Sequence, residues 1–238
     1  MIGAASHFFC IPLVASTCAE VERVVRDHGH EARFIEVWLD YRGDRSIERI
    51  TAWARKHPGR FVFHFRRRNG ESIAAPYEER LTVWRALASH DVWIDLDGES
   101  QALEIEVVRA LCPHARGIVS HHNFTATPAL AELRAVVRRL HAAWPEAVVK
   151  IAAACRSSED AAAVSALERE LSDEAIPHIV LGMGEAGRET RIAGALGGNV
   201  MNFTPLEVGA STAAGQIPLD DFRAILEARL AGGAGARR

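Results

Sequence analysis

The chain has 238 residues, 48% of them hydrophobic and 25% charged. Both shares are near those of a globular domain and exclude a disordered, fibrous or low-complexity protein. Its 28 Lys and Arg against 31 Asp and Glu leave a formal net charge of −3, so no basic surface points to nucleic acid or to anionic lipid. The scattered cysteines Cys10, Cys18, Cys112 and Cys155 form no CxxC pair. They read as small buried hydrophobes in a reducing compartment, not as a disulfide framework or a zinc site. No apolar run approaches the ~20 residues needed to cross a bilayer, and no Lys or Arg precedes the apolar stretch from Phe8 to Ala15, as a signal peptide would require. The expectation is a cytoplasmic protein with no nucleic-acid or membrane partner.

Along the chain, short apolar runs alternate with amphipathic stretches. Cys10 to Ala15 reads as the first strand. Thr17-Cys-Ala-Glu20 then spells a capping box ahead of Val21, Val24 and Val25, and Gly29 ends that helix. Phe34 to Leu39 and Phe61 to Arg66 are the next strands, followed by helices from Ile47 to Lys56 and from Pro76 through Leu81, Trp84 and Leu87. Val92 to Leu96 precedes a helix over Leu103 to Leu111. Gly117 to His121 leads to Thr127-Pro128, which reads as an N-cap with proline at the first helical position. Leu130, Leu133, Val136, Val137 and Leu140 then mark a helical stripe. Ala147 to Ala152 precedes Ser157-Ser-Glu-Asp160, another capping-box spelling. His178 to Leu181 and Asn199 to Phe203 are the last strands, with helices over Glu185 to Leu196 and Pro218 to Leu230.

Strict alternation of strand and helix implies parallel pairing with right-handed crossovers. Eight such units at this length predict a single-domain (β/α)8 TIM barrel over residues 1–230, with a flexible C-terminal tail over 231–238. The competing architecture is a doubly wound sheet, and Gly182-Met-Gly-Glu-Ala-Gly187 spells its GxGxxG fingerprint, with Glu207 near the acidic position that would follow. The chain after Gly187 is too short for the rest of a dinucleotide-binding domain. The motif therefore reads as a tight strand-to-helix turn whose helix offers N–H groups to an anion.

In such a barrel the active site forms at the C-terminal strand ends, and alternation along each strand gives the facing. Glu36, Trp38 and Asp40 share one face against Ile35, Val37 and Leu39. Val62, His64 and Arg66 oppose three phenylalanines, Asp95 and Asp97 oppose Ile94 and Leu96, and Ser120 shares a face with His122, opposite His121. With Lys150 on the sixth strand, beside Val148 and Ala152, polar groups late on five strands thus converge on one mouth. Lys150 sits in Ala-Val-Val-Lys-Ile-Ala-Ala-Ala, where burial disfavours the charged form and leaves an amine able to attack a ketone. The alternative for Lys150 is a buried ion pair with an acid such as Asp97. His122 suits acid/base work with an unperturbed pKa of ~6.5. Its neighbour points the other way, so the His121-His122 doublet is a poor metal site, and no metal is expected.

At these residues the chain resembles the type I 3-dehydroquinate dehydratases, and seven motifs come in the family's order. Glu36-Val-Trp-Leu-Asp40 resembles its Glu-x-Arg-x-Asp. Phe65-Arg66 with Asn69-Gly70-Glu71 resembles its Arg strand and Glu-Gly-Gly turn, and Asp95-Leu-Asp97 stands where the family has Asp-x-Glu. Ile118-Val-Ser-His-His-Asn-Phe124 with Thr127-Pro128 resembles its Ser-x-His-Asp-Phe and Thr-Pro. Val149-Lys150-Ile-Ala152 matches its Schiff-base strand. Met183-Gly184, Gly187 and Thr190-Arg191 resemble its Met-Gly, Gly and Ser-Arg, while Thr212-Ala-Ala-Gly-Gln216 resembles its Ser-Ala-Pro-Gly-Gln.

The resemblance implies a barrel lyase of the shikimate pathway, a homodimer that takes a small hydroxylated keto acid and needs no cofactor. By position, Lys150 would form the imine, His122 would move the proton and Asp97 would orient the histidine. Arg191, Thr212 and Gln216 would hold the substrate carboxylate, and Glu36 and Arg66 its ring hydroxyls. Trp38 stands in place of an arginine and faces inward, where it would touch the substrate; the alternative is that it packs into the barrel and a neighbour such as His64 supplies the missing donor. Asp97 replaces a glutamate, Asn123 an aspartate, Thr212 a serine and Ala214 a proline. The imine and proton-transfer residues Lys150 and His122 are intact, while the side that would hold the substrate hydroxyls is altered. These departures keep open a related Schiff-base lyase or aldolase on another hydroxy-keto acid, or a catalytically weakened binding homologue.

Overall fold

A computed structural model describes residues 8–14, 17–42, 45–66, 70–207 and 210–235. Eight parallel strands alternate with helices: β1 (Phe9–Leu13), α1 (Cys18–His28), β2 (Phe34–Trp38), α2 (Ile47–Lys56), β3 (Phe61–His64), α3 (Tyr77–Leu87), β4 (Trp93–Asp97) and α4 (Ala102–Leu111). The second half continues with β5 (Arg116–Asn123), α5 (Leu130–Ala143), β6 (Val148–Ala154), α6 (Ser158–Asp173), β7 (His178–Met183), α7 (Arg188–Gly197), β8 (Asn202–Phe203) and α8 (Leu219–Gly235). The strand order β7-β6-β5-β4-β3-β2-β1-β8 curls into a nearly closed (β/α)8 barrel, not a doubly wound sheet. Ala15, Asn69 and residues 236–238, on which part of the sequence reading falls, lie outside the described residues.

Closure depends on side chains, because β8 pairs with β1 only through Phe9 with Asn202 and Cys10 with Phe203. On the β7 side the Asn199 amide takes the place of a strand. Its Oδ1 accepts from Val180 N at 2.8 Å and its Nδ2 donates to Val180 O at 3.1 Å. Val200 N adds a bond to His178 O at 2.9 Å. Buried backbone groups at the seam are thus satisfied without a long last strand.

Alternation separates two apolar layers. Ile35, Val37, Phe61, Phe63, Ile94, Leu96, Val119, Val149, Ile151 and Val180 pack outward on the helices. Cys10, Phe34, Val62, Trp93, Ile118, Val148, Ile179 and Met201 fill the interior. The helix starts follow their local chemistry in α1, where Thr17 and Glu20 form the full capping box, and in α6, where the Ser157 side chain accepts from Asp160 N. Thr127 does not cap α5. The cap position is Ala129, because the Thr127 hydroxyl donates instead to Ala154 O at the end of β6, 2.9 Å away. The last helix runs past Leu230, where the sequence suggests its end, to Gly235. Among the described residues no helix is long and apolar enough to cross a membrane.

Candidate active site

The barrel floor is apolar, with Phe34 and Trp93 meeting edge to face at 5.8 Å between ring centroids. One inward position higher, five neighbouring strands each present a polar side chain. These are Glu36 on β2, His64 on β3, Asp95 on β4, Ser120 on β5 and Lys150 on β6, all at most 4% exposed. A buried charge must be paired, and Asp95 is the hub that pairs them. It accepts from both Arg66 Nη atoms at 3.0 and 3.3 Å, from Ser120 Oγ at 2.7 Å and from Lys150 Nζ at 2.8 Å. Burial alone would raise its carboxyl, yet Arg66 and Lys150 hold it well below the ordinary carboxylate value.

Lys150 therefore does have a buried acid partner, but it is Asp95 and not Asp97. Its Nζ also lies 3.6 Å from Glu36 Oε1 and 4.0 Å above the Phe203 ring centroid, a cation–π contact. Barrel strands tilt, so residues level with one another are offset along the strands. Asp95, one inward step below Asp97, is the acid that meets the ammonium.

Above this layer a cavity of about 530 Å³, open to solvent, is lined by Glu36, Trp38, Arg66, His122, Lys150, Arg191, Thr212 and Gln216. Phe124, Ala152, Leu181, Met183, Phe203 and Ala213 supply its apolar walls. All the site residues expected from the sequence meet here except Asp97. That side chain ends β4 by capping the loop that follows. Its Oδ1 accepts from Glu99 N at 3.1 Å, from Ser100 N at 2.8 Å and from Ser100 Oγ at 2.9 Å, an Asx-turn arrangement. The expected bond from Asp97 to His122 is not formed. The two instead face a second cavity beside Gly70 and Ser100.

His122 stacks on Phe124 at 5.8 Å and 20°, and its Nδ1 is buried with no hydrogen-bond partner. Burial, followed by the charges of Arg66 and Lys150, pushes its pKa well below the ordinary histidine value. The ring is therefore neutral at pH 7 and able to accept a proton. His121, one residue earlier, pairs its Nδ1 with Glu99 Oε1 at 3.1 Å.

Across the mouth, Arg191 is buried in the first turn of α7, which follows the GxGxxG turn. Gly182 and Gly187 pack backbone to backbone there, since a Cβ on Gly187 would lie 2.5 Å from Gly182 C. Among the described residues Arg191 Nη2 reaches only Ala214 O, at 3.4 Å, and Nε is buried without a partner. No carboxylate among the described residues pairs with it, and burial pushes its guanidinium down to about 10. It remains a cation at neutral pH and is fitted to hold an anion. Gln216 shapes the loop around it, accepting from Thr212 N at 2.7 Å and Ala213 N at 3.2 Å and donating to Thr212 Oγ1 at 3.1 Å. That loop seats on Gly184, whose N–H donates to Ala214 O at 3.0 Å. Gly215 (φ +78°) has no room for a Cβ, which would stand 2.3 Å from Gly184 O.

Trp38 occupies the β2 wall. Its indole N–H donates to Glu36 Oε2 at 2.7 Å, and its ring meets His64 edge-on at 4.8 Å and 76°. His64 is wholly buried and neither ring nitrogen has a hydrogen-bond partner. Burial, with Arg66, drives it well below the ordinary histidine value. Asp95, His64, Ser120 and Phe203 thus belong to the site, although the sequence reading gave Asp95, Ser120 and Phe203 no chemical role and named His64 only as a possible substitute donor. Their signal is parity, since each shares the inward face with an expected residue of its strand or closes the barrel at β8. Among the described residues no group of three or more His, Cys, Asp or Glu is placed to hold a metal ion.

Comparison with known proteins fits this geometry. The family described as type I 3-dehydroquinase matches residues 9–231. A 3-dehydroquinate dehydratase of Dehalococcoides mccartyi is 29% identical over 208 residues, covering 87% of this chain and 89% of the relative. One from Geobacillus thermodenitrificans is 29% identical over 240 residues, covering 94% and 91%. The crystal structure of 3-dehydroquinate dehydratase from Geobacillus kaustophilus superposes with a TM-score of 0.78 at 26% identity, covering 94% of this chain and 91% of that one.

Proposed function

The chain belongs to the type I 3-dehydroquinase family, and from that premise we propose that it dehydrates 3-dehydroquinate to 3-dehydroshikimate through an imine on Lys150. The observation that supports this most strongly is one cavity lined at once by an amine, a neutral imidazole and a buried guanidinium with no counter-ion among the described residues. Dehydration next to a ketone can draw on all three functions. The amine condenses with the ketone and turns it into an electron sink. The imidazole of His122 removes the proton from the adjacent carbon and returns it to the departing hydroxyl, which leaves as water. Arg191, framed by the Thr212–Gln216 loop, holds the carboxylate and fixes which carbon faces His122.

The second reading, a related lyase acting on another hydroxy-keto acid, is favoured by Trp38. Its N–H on Glu36 stands where the family pattern has a guanidinium, so the β2 side of the site offers fewer donors to ring hydroxyls. The two readings share the imine and differ in substrate.

Incubating the protein with 3-dehydroquinate and borohydride tests the imine. Reduction should add the ligand mass to the peptide carrying Lys150, and Lys150→Ala should abolish both this adduct and the enone absorbance of the product. An adduct without enone product favours the second reading. Wild-type protein left unmodified at saturating 3-dehydroquinate overturns the first reading.

A further inference from the structure

An ammonium must lose a proton before it can attack a ketone, and two acids face Lys150 Nζ: Asp95 at 2.8 Å and Glu36 at 3.6 Å. Asp95 is poorly suited to take the proton, since both its oxygens already accept from the Arg66 guanidinium and Ser120 donates to it as well. Glu36 is held differently. Its Oε2 accepts a neutral indole N–H, and among the described residues its Oε1 faces only Nζ and, at 3.8 Å, the ring of His64. Among the described residues no guanidinium pairs with either oxygen.

We propose that Glu36 is a catalytic proton shuttle for imine formation on Lys150, positioned for that task by Trp38. The inference rests on the imine reading above. Glu36 takes the proton from the Lys150 ammonium, and the freed lone pair attacks the ketone carbon. The new C–N bond forms as the C=O π bond breaks, and a second proton moves from nitrogen to oxygen to give the carbinolamine. Glu36 then returns its proton to the carbinolamine oxygen, the C–O bond breaks, water leaves and the protonated imine remains. Ammonium and ketone have become iminium and water, and Glu36 ends as the carboxylate it began as. No other reactant is required.

The surroundings of Glu36 agree with this role. Cys10 from β1, His64 from β3, Arg66 just beyond it, Asp95 from β4, Ser120 and His122 from β5 and Lys150 from β6 supply the titratable and polar groups of this interior. Burial raises the Glu36 carboxyl, and the opposing charge of Lys150 does not bring it back to its ordinary value. An arginine at position 38 would place a cation on Glu36 and weaken it as a base. The indole supplies a hydrogen bond without that charge.

The test is the rate at which the Lys150 adduct appears when 3-dehydroquinate is mixed with the protein and quenched with borohydride, followed from acidic to neutral pH. Wild type should show an acid limb where Glu36 takes up its proton. Glu36→Gln should slow adduct formation by ~10²-fold or more, the scale of a positioned acid/base, and flatten that limb. A counter-ion role alone predicts the opposite, because removing a neighbouring anion leaves more of the lysine neutral and speeds attack. Adduct formation at the wild-type rate or faster in Glu36→Gln therefore overturns the proposal. Should that variant fail to fold, the Trp38 variants decide. Trp38→Arg should move the acid limb down by about one pH unit or more, and Trp38→Phe should move it up. A limb unmoved in both overturns the proposal. Absence of any wild-type adduct is a different result, which removes the 3-dehydroquinate imine on which the proposal rests.

Discussion

The two adjacent histidines of β5 test the site at the smallest scale. His122 lines the cavity, whereas His121 reaches Glu99. His122→Ala should lower turnover by ~10²-fold or more and His121→Ala should leave it near wild type, measured as enone formation in variants of equal thermal stability. Equal losses would mean that the facing of β5 does not sort their roles. Arg191→Ala should raise KM, because a hydrogen bond to a charged group contributes ~1.5–3 kcal/mol, or roughly ten- to a hundredfold in affinity at about 1.4 kcal/mol per decade. A KM unchanged in that variant would show that the substrate carboxylate sits elsewhere. These positions are legible in the sequence because a strand's period of two is rigid. Once Lys150 is taken to face inward, Val148 and Ala152 must share its face. Parity does not give height. Asp95 and Asp97 share a face, and only the tilt of the strands and the demands of the β4–α4 loop decide that one meets Lys150 while the other caps Ser100.

Among the elements, β8 shows where local sequence stops being informative. Asn199 to Phe203 reads as a strand of ordinary length, but only Asn202–Phe203 pairs as one. Asn199 leaves the strand to bind Val180 through both ends of its amide. Nothing in the local pattern marks that amide as a seam closure, because its partner lies on another strand. The same holds for Thr127, whose hydroxyl finds Ala154 across the barrel top rather than capping its own helix. Asn199→Ala should leave two buried backbone groups of Val180 unpaired, at about 1–3 kcal/mol each. The denaturant midpoint should fall and hydrogen exchange at β7 and β8 should rise. Gly194→Ala should act on the same seam from the helix side, since its Cβ would stand 2.3 Å from Asn199 Nδ2. The two effects should therefore be less than additive. Full additivity in a double-mutant cycle would place the cost of Gly194→Ala elsewhere.

The whole molecule carries a charged and titratable layer through the middle of its barrel, and stability must follow pH accordingly. His64 and His122 are held neutral, with pKa values well below the ordinary 6.5. Between their folded values and 6.5 the unfolded chain binds more protons than the folded one, so stability drops as pH falls through that window. Asp95 adds a second loss at lower pH, because its folded value lies well below 3.8 and its contribution disappears as pH falls through the window beneath that value. Glu36 works in the opposite sense. Its raised value makes the folded state the better proton acceptor just above 4.5, so its desolvation cost eases as pH falls. The histidine loss comes first on acidification and amounts to at most about 1.4 kcal/mol per pH unit for each ring. His64→Phe isolates it. Neither nitrogen of His64 has a hydrogen-bond partner, so the substitution removes no bond, keeps a ring against Trp38 and should leave stability at neutral pH intact or higher. Urea unfolding of both proteins at neutral and mildly acidic pH should show a shallower loss in the variant. Parallel curves would mean that the buried ring titrates as an ordinary histidine and that the barrel interior is wetter than its packing implies.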